Sequence, residues 1–176
     1  MLHRKEGRNT IGVWLNCELS RSHTVFSLIV GACFALLGIG VRFFVGAPYF
    51  TILALGIESL LPPIWLMCVL WTLSFFSIGF AFCFVLCYRS GCYEVEKYKG
   101  GMVFVLMAVL ELCWYPTFFG VGLIFLSVLE SAVIFLLSVG VTRYFWRVSE
   151  LSGGVMLLHN GWLLYILILN FAVFFK

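Results

Sequence analysis

The sequence predicts an all-α integral membrane protein, a bundle of five transmembrane helices with an interfacial or lid segment between helices 1 and 2. Three observations predict it. The 176 residues are 63% hydrophobic and only 11% charged, with a mean hydropathy of +1.10, whereas a soluble domain is about half apolar and a quarter charged. Five separate runs reach the length of about 20 apolar residues that a hydrocarbon core demands of a helix. Basic residues crowd into alternate breaks between those runs. Such a composition excludes disorder, which needs low hydrophobicity and many charges. The net charge of +3, thinly spread, leaves no footprint for nucleic acid.

Residues 1–22 form a polar N-terminal tail containing Arg4, Lys5, Arg8 and Arg21. The run that follows is too long for a signal-peptide core and lacks a small-residue cleavage pattern, so it reads as a retained helix. Residues 23–176 then make a single membrane domain. The first span covers about 24–45, with Arg42 near its end, and the second 63–88, opened by Pro62-Pro63. Proline is cheap there because the first amides of a helix lack partners anyway. The third span covers 100–119, the fourth 122–142 and the fifth 152–175. Pro116 should break or kink the third, and Phe118-Phe119-Gly120 then permits a tight reversal. Phe50 to Leu61 is apolar but short, bounded by prolines and interrupted by Glu58, so it should lie at the interface or fold back as a lid. No strand-like alternation occurs, and helices satisfy their own amides in lipid, which favours helices over a barrel.

Counting loop charges on this topology puts Arg4, Lys5, Arg8, Arg21, Arg89, Lys97, Lys99, Arg143 and Arg147 on one side, against Arg42 and Lys176. The positive-inside rule then places the N-terminus in the cytoplasm. The seven cysteines mostly fall in apolar runs, where a thiol acts as a small hydrophobe. Cys83 and Cys87, one turn apart, make an incomplete metal site, so no metal centre is expected.

Within so oily a chain the informative residues are polar or aromatic ones at helical spacing. Glu111 and Glu130 fall mid-span, where a carboxylate is expensive and faces the bundle interior. At 3.6 residues per turn, Met107, Glu111, Trp114 and Phe118 share one stripe of the third helix. His159, Trp162, Ile166, Leu169 and Asn170 share another on the fifth. Trp65, Cys68, Thr72, Phe75 and Gly79 make a third on the second helix, with Trp71 at its flank. Three such stripes either pack helix on helix or enclose a cavity for a large, flat, mostly apolar ligand.

Three motifs then show a family resemblance. Pro62-Pro63-Ile64-Trp65 followed by Trp71, Phe75 and Gly79 resembles Pro-Pro-x-Trp with a Trp six residues on, then an aromatic and Gly. Trp114-Tyr115-Pro116-Thr117-Phe118-Phe119-Gly120 resembles Trp-x-Pro-x-Phe-Phe-Gly, and Trp162 with Leu169-Asn170 matches Trp-x6-Leu-Asn. In this order, on a five-span chain, they resemble the tryptophan-rich sensory proteins, related to the mitochondrial translocator protein (peripheral benzodiazepine receptor). The resemblance covers about Phe26 to Lys176. It implies a five-helix bundle, often a homodimer, that binds porphyrins such as protoporphyrin IX or a haem-type relative, sterols and benzodiazepine-type ligands in a pocket under the first loop. Carried over residue by residue, the lining is Trp65, Met67, Cys68, Trp71, Glu111, Trp114, Trp162, Leu169 and Asn170, to which the stripes add Phe118 and His159.

Departures from the pattern shape these expectations. Glu111 stands where the family has Asn, and Leu158-His159 replaces Pro-Tyr. His159 reads as an ordinary hydrogen-bonded imidazole rather than an axial ligand to a metalloporphyrin. Phe171 replaces the Tyr of a C-terminal sterol motif before Lys176, which argues against sterol binding. The leading expectation is a membrane receptor or sensor for flat hydrophobic ligands, most of all porphyrins, acting in tetrapyrrole handling or stress-linked regulation, with no obligatory cofactor. The alternatives are porphyrin breakdown at a pocket Trp such as Trp162, for which no nucleophile, metal site or acid–base pair of recognisable geometry is present, and transport of a small molecule, for which five spans supply no even repeat.

Overall fold

The computed structural model describes residues 21–45, 61–88 and 93–176. Nearly all of the expected tail and of the expected lid segment therefore lie outside the described residues. Five helices are long and apolar enough to cross a membrane: α1 (Arg21–Val45), α2 (Ile64–Cys87), α3 (Glu94–Tyr115), α4 (Ile124–Val148) and α5 (Glu150–Phe174). This is an integral, multi-pass membrane protein.

Several ends differ from the sequence expectation, each for a local reason. α3 starts at Glu94 rather than near 100, because Glu94 and Glu96 occupy its first turn, where the helix dipole favours acids. Lys97 Nζ donates to the Tyr88 carbonyl at 2.7 Å, tying the end of α2 to the start of α3. α4 continues past Thr142 to Val148, held by the buried Phe145 and Val148, while the long stems of Arg143 and Arg147 let their charged heads reach the polar side. Pro116 does not break α3. The helix widens into a π-helical turn over Pro116–Val121, a form that accommodates a missing amide donor. The turn closes at Gly122, whose φ of 71° is the left-handed conformation glycine adopts without steric cost.

Each helix packs most extensively on its neighbour in the circuit α1–α2–α5–α4–α3, and α3 returns to touch α1. Water-driven burial is absent between helices in lipid, so shape and polar contacts decide the packing. At the α4–α5 seam, Ser138 Oγ donates to Asn160 Oδ1 and Asn160 Nδ2 donates to Thr142 Oγ1 at 2.9 Å. Outward-facing residues such as Phe44, Met102, Leu136 and Leu158 are exposed, as a lipid-facing surface requires. Helix alternation puts Arg21, Lys97, Lys99, Arg143 and Arg147 at one end of the bundle, with Arg42 and Lys176 at the other.

Candidate functional site

The centre of the bundle is an aromatic column built from α2 and α3. Trp71 is buried, and its indole Nε1 donates to the Gly38 carbonyl of α1 at 3.0 Å, which fixes the ring against the bundle axis. Its ring centroid lies 5.0 Å from Phe75, 6.0 Å from Trp114 and 5.1 Å from Tyr115. Trp114 in turn stacks on Phe118 at 5.4 Å and 16°. The π-helical turn keeps Phe118 and Phe119 on the inner side, where both are buried.

Polar groups from three helices meet below this column. Ser74 Oγ of α2 lies 2.7 Å from His159 Nδ1 of α5, and His159 Nε2 lies 3.6 Å from Glu111 Oε2 of α3. The second distance is too long for a direct hydrogen bond. Glu111 and His159 are each 1% exposed. Both Glu111 oxygens, His159 Nε2, Trp114 Nε1, Trp162 Nε1 and Asn170 Oδ1 are buried without a hydrogen-bond partner. Asn170 has its amide nitrogen committed, donating to the Ile166 carbonyl at 2.8 Å. A buried polar atom left unmatched costs about 1–3 kcal/mol, so Glu111, His159 and the indoles beside them form a costly polar spot in an otherwise apolar core.

The space around these groups is unevenly distributed. On the bundle axis a void of about 20 Å³ is lined by Arg42, Ile64, Met67, Trp71, Trp114, Tyr115, Phe119 and Ile166. A second, of about 10 Å³, is lined by Trp71, Glu111, Trp114, Ser131, Ile134, Trp162, Leu163 and Ile166. Each has room for about one water. Beside them, between α2 and α5, a cleft of about 560 Å³ is lined by Leu61, Pro62, Leu70, Leu158, Gly161, Trp162 and Tyr165, within the size range of small-molecule sites. Trp162 borders both the polar void and the cleft, and a Cβ at Gly161 would meet nothing within 4 Å.

Of the sequence-derived candidates, Trp71, Glu111, Trp114, Phe118, His159, Trp162, Leu169 and Asn170 are all buried in the bundle. Met67 lines the axial void of about 20 Å³. Cys68 is partly buried and accepts a hydrogen bond from Arg42 Nη1. Trp65 is 66% exposed and points outward, so it does not join the other tryptophans. The expected stripe on α2 is rotated, since the buried line runs through Trp71, Ser74, Phe75 and Ile78. α2 is apolar on all sides, so periodicity carried no signal for its inner face. For the same reason Ser74 and its bond to His159 were not legible. Tyr115 and Arg42 also line the site. A tyrosine next to the motif Trp and a base near a span end were the available signals. Among the described residues, no group of three or more His, Cys, Asp or Glu gathers to hold a metal.

The model of the TspO/MBR family matches residues 28–175. A curated relative, described as tryptophan-rich protein TspO from Chlorobaculum tepidum, is 26% identical over 158 residues, covering 88% of this chain and 97% of the relative. No solved structure matches.

Proposed function

The chain belongs to the TspO/MBR family, and from that premise we propose that it is a membrane receptor for flat, largely apolar ligands, with porphyrins the leading class. One observation carries the reading. Trp162 lines both a cleft of about 560 Å³ and the small void that holds Glu111 and Trp114, whose buried polar atoms, with His159 Nε2 beside them, have no hydrogen-bond partner. The axial voids are too small for such a ligand while the rings stand as they do, and the cleft supplies room for Trp162 to swing aside. A planar guest would then stack on Trp71, Trp114 and Trp162, and its ring nitrogens would meet the Glu111 carboxyl and His159 imidazole at the floor. On the charge bias, the N-terminus faces the cytoplasm in this reading.

The test is titration of detergent-purified protein with protoporphyrin IX, read as quenching of tryptophan fluorescence. Saturable quenching at about micromolar concentration, weakened several-fold by Trp162→Ala through loss of its stacking face, is the expected result. Absence of saturable quenching would refute the proposal. A new absorbing product that forms with the protein and not with Trp162→Phe would instead indicate breakdown of the pigment.

A further inference from the structure

We propose that Arg42, together with the Tyr115 hydroxyl, recognises an acidic group on one edge of the ligand, so that the site takes planar amphiphiles bearing a carboxylate rather than neutral ring systems. The inference rests on the receptor reading above and deepens it. Arg42 sits one turn from the end of α1 and lines the same void as Trp71, Trp114 and Tyr115. A guanidinium near lipid is costly unless it has a partner or reaches water. Among the described residues its hydrogen-bond partner is the Cys68 thiol, a weak acceptor for a group with five donors. Tyr115, 4% exposed, brings to that void a hydroxyl with no hydrogen-bond partner. A fork of cationic donors beside a phenol, above two indole faces, matches a carboxylate attached to a flat ring.

The two ends of the axial column are chemically opposite, because its walls Trp71, Trp114 and Ile166 are shared with the void that holds Glu111. A ligand spanning the column meets a cation at one edge and a carboxyl and imidazole at the other. This polarity gives the guest one orientation, acid toward the α1–α2 end. The competing role for Arg42 is to reach lipid phosphates by extending its stem, which would leave ligand choice untouched.

The experiment uses two probes with the same ring, protoporphyrin IX and its dimethyl ester, titrated into the full chain and into Arg42→Gln, Arg42→Lys and Tyr115→Phe. The probes partition differently into detergent, so the ratio of ester Kd to acid Kd is compared between proteins. Circular dichroism and size-exclusion elution check that each variant is folded. The expected outcome is a fall in that ratio of about tenfold or more in Arg42→Gln, a smaller fall in Tyr115→Phe, and partial recovery in Arg42→Lys. An unchanged ratio in folded Arg42→Gln overturns the inference while leaving the receptor reading standing. Failure of both probes to bind the unmodified chain overturns the receptor reading and this inference with it.

Discussion

Two regions of this bundle bury polar side chains in lipid and treat them oppositely. At the α4–α5 seam, Ser138, Asn160 and Thr142 bond to one another, and Thr142 Oγ1 also donates to the Ser138 carbonyl at 2.8 Å. Where α2, α3 and α5 meet, Ser74 and His159 pair, but Glu111 and the indoles of Trp114 and Trp162 are left with open hydrogen-bonding positions. The open cluster adjoins a void and the wide cleft. The difference teaches that polar residues in a membrane serve two ends. Satisfied ones join helices, and in the proposed function the unsatisfied ones beside space are those that meet the ligand.

Breaking the seam should give the largest stability effect. A Cβ at Gly153 would lie 2.5 Å from Trp146 Cε3 and 2.8 Å from Trp146 Cα, and a backbone atom cannot rotate away. Gly153→Ala should therefore push α4 and α5 apart and cost about 1–3 kcal/mol, measured as the unfolding midpoint in detergent. An unchanged midpoint would mean the seam is not closed as described. Asn160→Leu comes next. It removes the bonds to Ser138 and Thr142 and should cost about 1–2 kcal/mol, with porphyrin quenching preserved because Asn160 lines neither the axial voids nor the cleft. The smallest stability effect is expected at the open cluster. Glu111→Met replaces two unpartnered oxygens with an apolar chain, so stability should stay within about 1 kcal/mol of the parent or rise, while ligand affinity falls. A loss of stability as large as that of Asn160→Leu would show that Glu111 joins helices after all, and the contrast between the regions would collapse.

How far the site could be read from sequence depended on whether a helix has a polar side. α3 and α5 carry isolated polar residues among apolar ones, so the stripes through Glu111 and Trp114, and through His159, Trp162 and Asn170, marked their inner faces correctly. α2 has no such marker. Helical spacing puts Trp65 on the expected inner stripe and Trp71 at its flank, yet Trp71 is buried and Trp65 faces outward. Pro116 was legible as a disturbance but not as a π-helical turn, because whether a helix breaks or widens at proline depends on what packs around it. Here Trp114 and Tyr115 pack on Phe118 and Phe119, which keeps the chain helical through the disturbance.

The linear chain by itself determined that the protein lives in a bilayer, how many times it crosses, and which residue types are too costly to be there by accident. Those follow from transfer free energies and helix length, which are properties of each segment alone. Only the tertiary structure decided which tryptophans face inward, that Ser74, His159 and Glu111 meet, and that Arg42 stands over the aromatic column. Those depend on the rotation of each helix about its own axis, and in lipid that rotation is set by side-chain fit between neighbours rather than by any difference between oily and watery sides.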